Sequence, residues 1–245
     1  MVLVRNFGEP VDLHIPAVLP GGVEIRGIGS NIFVSIDTWK RVSFDENIEV
    51  SLCSFRNITA DTLVWPKGQK EIPDLCFSNA SIGTILGMED VTFVGYEAFE
   101  HSRMQTLTWP SATPTVPKFC FQYASIENIK GLENVVSVEE GAFSQAKIGN
   151  MAWPQKASKI PFRCFSRSEI RNLTGPENID VIGSYAFENA KFESLDLSSA
   201  IVLEIGKGAF FFTDINCVIK PYYMSEEQFK SYFLWKIEIV NQKGG

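Results

Sequence analysis

Residues 107–148 read LTWPSATPTVPKFCFQYASIENIKGLENVVSVEEGAFSQAKI, and this stretch decides the fold. It holds two versions of one unit of 22 residues. Phe121 and Phe143 mark the same place in each; Val116 and Val138 lie five residues before, Ala124 and Ala146 three after, and Ile126 and Ile148 five after. Working outward, Phe33, Phe55, Phe77, Phe99, Phe165 and Phe187 keep the interval of 22, and Phe210 follows with one extra residue. The β-branched column continues through Ile28, Val50, Ile72, Val94, Ile160, Ile182 and Ile205, and the small column through Ala80, Ser102, Ser168 and Ala190. Four columns in register over most of the chain identify a repeat.

Each unit also carries a short alternating stretch that reads as a β-strand, such as Thr62-Leu63-Val64-Trp65 before Pro66 and Thr106-Leu107-Thr108-Trp109 before Pro110. A strand every 22 residues leaves no room for a long helix between strands. Each coil must therefore bury its apolar columns against its neighbours, which predicts an α/β repeat solenoid with parallel strands on one side and short helical or irregular turns on the other. About nine coils follow from the nine phenylalanines. A second period of 44 lies over the first: Trp65, Trp109 and Trp153 alternate with Gly87, Gly131 and Gly175. Because stacked strands sit about 4.8 Å apart, the expectation is that each indole spreads into space that the glycines vacate.

Units of the form LxWPxxxxxIPxxCFxxAxI and GxENxxxIxxxAFxxAxI resemble the BspA-type leucine-rich repeat, over roughly Leu13 to Pro221. The chain departs from the better-known leucine-rich repeats in having only 14 leucines, with phenylalanine taking the packing load. The resemblance implies a leucine-rich-repeat horseshoe with a helical C-terminal cap. It also implies an interaction protein, since proteins of this bacterial type are mostly adhesins or interaction proteins.

The ends are less regular. Asp12 to Ile15 before Pro16 reads as a strand, but 17 residues separate Pro16 from Phe33, so the first coil holds an insertion; the next strand, near Arg41 to Asp45, is irregular too. Ser225 with Gln228 forms a capping-box signature before Phe229, Tyr232 and Phe233, and Lys236 to Val240 alternates like a strand. The expectation is a single domain over 1–245, with an N-terminal cap and first coil in 1–45, regular repeats in 46–221 and a C-terminal cap in 222–245. Phe211, Phe212, Tyr222 and Tyr223 are assigned to cap packing.

The chain has 245 residues, 45% apolar and 21% charged, with a net charge of −7. That composition excludes a disordered tail, a collagen or a polytopic membrane protein, and the acidic balance disfavours nucleic acid. No segment reaches 18 consecutive apolar residues, so membrane insertion is not expected. If Met1 is the native start, no signal peptide is present and a cytoplasmic location follows; if a leader has been removed, the cell surface or a secreted location does.

Catalysis finds no constellation. Cys76, Cys120 and Cys164 lie two coils apart, about 9.6 Å by strand spacing, too far for a disulfide or a shared metal. Cys53 and Cys217 lie near opposite ends, and five unpaired thiols fit a reducing compartment. His14 and His101 are the only histidines and lie far apart in coil order, so no His-based triad is expected. The Glu89/Asp90, Glu133/Asn134 and Glu177/Asn178 pairs recur at equivalent turns and are assigned to local backbone donors. No enzyme, metal or cofactor is expected.

One polar column faces outward by alternation: Thr62, Thr84, Thr106, Asn128, Asn150, Asn172 and Ser194, accompanied by Val64, Leu86, Thr108, Lys130, Ala152, Thr174 and Asp196. It reads either as a hydrogen-bonded ladder that stabilises the sheet or as a nearly flat strip, about 30 Å long, that meets a partner. The partner-binding candidates are Thr62, Thr84, Thr106, Asn128, Asn150, Asn172, Ser194, Leu86, Thr108, Lys130 and Thr174. A protein partner comes first. A carbohydrate-binding module is the alternative, although it needs exposed aromatic rings and the repeated tryptophans point inward.

Overall fold

The computed structural model describes residues 9–33, 38–215 and 218–232. Its spine is an 11-stranded sheet in which each strand lies beside the next coil's strand. The strands are β1 (Val11–Ile15), β2 (Thr38–Phe44), β3 (Thr59–Val64), β4 (Ser81–Leu86), β5 (Arg103–Thr108), β6 (Ser125–Lys130), β7 (Lys147–Ala152), β8 (Glu169–Thr174), β9 (Lys191–Asp196), β10 (Asp214–Ile215) and β11 (Val218–Ile219). All pair in parallel, β9 with both β10 and β11. The parallel solenoid expected from the repeat is what forms.

Phenylalanine is its internal pillar. The rings of Phe33, Phe55, Phe77, Phe99, Phe121, Phe143, Phe165, Phe187 and Phe210 stack in unbroken succession, with centroids 5.1 to 5.7 Å apart. All are buried. A ring wider than one coil's rise must tilt to stack, and the offset arrangement that results is the one aromatic quadrupoles favour.

The turn that carries each of these rings is not helical. Around Phe121, the N–H groups of Phe119, Phe121 and Tyr123 donate to Glu140, Ala142 and Ser144 of the next coil, while those of Cys120, Gln122 and Ala124 donate three residues back. Alternate N–H groups thus point along the stack, and a helix, which turns every N–H the same way, cannot propagate. The alternation requires left-handed residues two before and two after the Phe. Leu75, Glu97, Phe119, Arg163 and Tyr185 occupy the first column with φ of 51 to 56°, and Asn79, His101, Tyr123, Gln145, Arg167 and Asn189 the second with φ of 53 to 59°. Non-glycine residues at such angles cost about 1 to 2 kcal/mol each, offset here by hydrogen bonds between coils. Among the described residues, helix is confined to single turns at Leu132–Asn134 and Pro176–Asn178 and to α1 (Glu226–Lys230).

Along the side of the stack, the β-branched residues form short strands that pair only in groups. Gly27–Ile28 pairs with Glu49–Val50, Glu71–Ile72 with Phe93–Val94, Thr115–Val116 with Ser137–Val138, and Lys159–Ile160 with Val181–Ile182, which also holds Glu204–Ile205. Each pairing uses an N–H four residues before the Phe: Gly95 to Ile72 O, Glu139 to Val116 O and Gly183 to Ile160 O. Each gap precedes a coil with Pro73, Pro117 or Pro161 at that position, and proline has no N–H to give. The 44-residue period is therefore, in part, a period of proline.

The glycines opposite the tryptophans correct the packing expectation. Each indole is tied within its own coil, with Nε1 donating to Gln69 O, Thr113 O and Ala157 O at 2.8, 3.1 and 2.8 Å for Trp65, Trp109 and Trp153. Gly131 has φ +82°, and a Cβ there would lie 2.7 Å from the carbonyl oxygen of Trp109, not against its ring. Backbone hand and backbone contact, rather than ring volume, select the glycine.

At the N-terminus, β1 forms where expected, and the insertion is a small hairpin, Val18–Leu19 against Val23–Glu24, turned by Gly21 and Gly22. At the other end, Ser225 and Gln228 make both bonds of the capping box on α1, and Phe229 packs on Phe210 at 6.0 Å. Of the aromatics assigned to cap packing, Phe211 is half-buried, whereas Phe212, Tyr222 and Tyr223 are exposed. Cys217, Phe233 and the strand expected over Lys236 to Val240 lie outside the described residues.

Candidate partner-binding face

The strand face follows from the spacing of two buried columns. In each regular strand the second residue (Ile82, Met104, Ile126, Ile148, Ile170, Phe192) and the fifth (Ile85, Leu107, Ile129, Met151, Leu173, Leu195) point into the core. A spacing of three breaks the two-residue alternation of a strand, so the third and fourth residues both face outward. The pairing skips the third position, passing from Met104↔Ile126 to Thr106↔Asn128. The chain bends there, and the face expected to be nearly flat is folded into a groove of about 790 Å³.

The expected ladder lies on one side of the bend. Thr62, Thr84, Thr106, Asn128 and Asn150 are half-buried and Asn172 is exposed. The Asn150 amide donates to Asn128 Oδ1 at 3.0 Å, and the Asn172 amide to Asn150 Oδ1 at 2.6 Å. An amide ladder of the structural kind is therefore present. Leu86, Thr108, Lys130 and Thr174 stand exposed two residues further along their strands. The side chain of Ser194 lies outside the described residues.

The groove itself is lined by first and third strand residues that alternation overlooked, among them Arg103, Gln105, Glu127, Lys147, Glu169 and Arg171. Their charges interlock. Glu169 takes Lys147 at 3.1 Å and Lys191 at 3.9 Å, while Arg171 reaches across Gly149 to Glu127, two coils away, at 2.6 Å. Gly149 makes that reach possible, since a Cβ there would fall 2.7 Å from the Glu127 carboxyl carbon. At such exposure each pair contributes at most about 1 kcal/mol; the effect is to orient the charges. Arg103 has no ion-pair partner among the described residues. The spacing of three between buried columns was the sequence signal for this groove.

The remaining chemistry is mostly sealed or structural. Cys76, Cys120 and Cys164 are fully buried, and burial pushes their thiols well above the ordinary range. Asn134 and Asn178 donate to the carbonyls of Ser111 and Gln155 in the preceding coil, so they serve acceptors, not the donors expected. No group of three or more metal-binding side chains occurs among the described residues, and no helix there is long and apolar enough to cross a membrane.

One expectation fails. A Ser–His–Asp set does assemble, because β1 and β2 are neighbours with His14 opposite Ser43. His14 Nδ1 lies 3.0 Å from Ser43 Oγ, and Nε2 3.1 Å from Asp45 Oδ1. Two histidines far apart do not preclude a cluster around one of them. The other oxygen of Asp45 accepts the Ala17 N–H at 2.8 Å, which, ahead of His14, lowers its carboxyl pKa. With His14 and Asp45 half open to water, the cluster fastens the start of the hairpin to β2.

The sequence pattern of the BspA type leucine rich repeat region matches residues 18–124 and 114–236, in six copies. Two solved leucine-rich repeat proteins are similar in structure. One, from Eubacterium ventriosum, has a TM-score of 0.46 and 12% identity, over 74% of this chain and 66% of its own. The other, from Bacteroides ovatus, has a TM-score of 0.39 and 15% identity, over 98% and 94%. No curated protein matches the sequence.

Proposed function

Because the chain belongs to the BspA-type leucine-rich repeat family, whose repeat proteins are generally interaction modules, we propose that it is a non-enzymatic protein-binding module that engages its partner through the strand face. The observation that carries this reading is the groove along β4 to β10, where outward side chains of successive coils converge on one polar surface. The paired charges bias that surface toward one arrangement before a partner arrives, which lowers part of the ordering cost of binding. The glycan alternative loses its best rings on this side, since Trp65, Trp109 and Trp153 are 2, 1 and 1% exposed; acrylamide should quench their fluorescence only weakly.

The proposal is tested by capture from a lysate of the source organism, comparing wild type with Gln105→Arg and Ser125→Arg in the groove and with Asn128→Arg and Asn150→Arg on the ladder. Loss of the same captured protein in the groove variants supports the reading. Equal retention by all four variants contradicts it.

A further inference from the structure

The gap in the side ladder between Phe93–Val94 and Thr115–Val116 opens into a cleft of about 460 Å³. Its backbone differs from that of the paired steps. In the paired steps, Lys70 O accepts the N–H groups of Thr92 and Phe93, and Ile72 O accepts that of Gly95. One coil on, the matching carbonyls of Thr92 and Val94 should accept from residues 114, 115 and 117, but Pro114 and Pro117 have no N–H and Thr115 makes no such bond. Two carbonyl oxygens therefore face the gap without a donor from the neighbouring coil. The adjacent Val91 carbonyl is served, by Thr113 Oγ1 at 2.8 Å.

The cleft walls complement those acceptors. Phe93 and Tyr96, 52 and 42% exposed, line the cleft beside Pro114 and Pro117. Tyr96 is held in place: Phe119 packs edge-on at 5.9 Å and the Tyr96 backbone N–H donates to Asp74 Oδ1 at 2.7 Å, while the neighbouring Glu97 carboxylate, followed by desolvation, pushes the phenol up to about 12. Asp74 and Glu139 add carboxylates, each with one oxygen already taken by a backbone N–H, of Tyr96 at 2.7 Å and of Lys118 at 3.1 Å, while the Lys118 ammonium is drawn off to Glu140 at 3.3 Å. A ligand suited to this site needs several donors, an apolar face and no negative charge.

We propose that the cleft binds a pyranose ring of a neutral oligosaccharide, its C–H face on Phe93 and Tyr96 and its hydroxyls on the orphaned carbonyls of Thr92 and Val94. The volume is ample for a sugar ring and large for a single ammonium group, and the acceptor-rich lining repels acidic sugars. This site lies on the side of the solenoid and is independent of the strand-face reading.

Saturation-transfer NMR of the whole chain with cellotetraose, maltotetraose and chitotetraose at millimolar concentration tests it. Transfer to at least one of the three is expected, weakened roughly tenfold by Phe93→Ala or Tyr96→Ala and unchanged by Val136→Ala at the next coil. Pro117→Ala, which offers an N–H to the Val94 carbonyl while keeping both rings, should weaken it too. Unchanged thermal midpoints in these variants separate lost binding from lost fold. The proposal is overturned if none of the three sugars receives saturation or if Phe93→Ala and Tyr96→Ala leave the transfer intact.

Discussion

The two ladders of this solenoid are built by the same coils and end up different. Along the strand face, β1 to β10 pair without a gap; along the side, the short strands pair in groups separated wherever Pro73, Pro117 or Pro161 enters. Burial does not separate them, because Ile72, Val94, Val116, Val138, Ile160 and Ile182 are as continuously buried as the strand columns. Packing sets the stack, and the supply of backbone N–H groups sets which of its faces is a closed sheet. A face with gaps offers polar backbone to a ligand, whereas a face without gaps can offer only side chains.

The largest expected contrast comes from the pillar that both ladders share. Phe121→Ala should destabilise the chain by about 3 to 5 kcal/mol in urea denaturation, while Phe93→Ala, at the ladder gap, should stay within about 0.5 kcal/mol of wild type. Comparable losses would mean that the pillar is not the core. Next, Gly131→Val adds a Cβ 2.7 Å from the Trp109 oxygen at a left-handed φ and should cost about 2 kcal/mol or more. Gly131→Ala should recover only part of that in thermal melts. If the indole volume were decisive, alanine would be nearly neutral.

Smaller effects sharpen the comparison of ladders. Asn150→Ala removes both neighbours' amide contacts and should cost about 1 kcal/mol, measured against Lys130→Ala as an exposed control. Glu139→Pro should remove both the bond to Val116 O and the carboxylate that accepts the Lys118 N–H, for a loss of about 1 to 2 kcal/mol, and raise amide exchange around Ser137. The reverse change, Pro117→Ala, supplies a donor but loosens the unfolded chain, so the net shift should be under about 0.5 kcal/mol. A large gain from Pro117→Ala would show that the gap is a fault of packing and not of missing donors.

Much of the fold is legible in Phe121 and its equivalents, because a large ring at a fixed interval has only its neighbours to bury against. The capping box at Ser225 is legible for the same local reason. The Gly131 column is not, since its conformation depends on a backbone contact with another coil that composition does not reveal. Likewise, strict alternation picks out Asn128 and Asn150 but passes over Gln105 and Glu127, because the bend at the third strand residue shows only in the three-residue spacing of Met104 and Leu107. The Ser43–His14–Asp45 cluster was hidden by an insertion that obscured which strands are adjacent.

The strand-face account is tested most directly by placing a photo-crosslinking residue in turn at Gln105, Ser125, Val136 and Gln145, two in the groove and two elsewhere on the adjoining coils, and irradiating in lysate of the source organism. Crosslinks to one partner from Gln105 and Ser125, with none from Val136 or Gln145, are the predicted result. A partner captured from Val136 or Gln145 and not from the groove would contradict it.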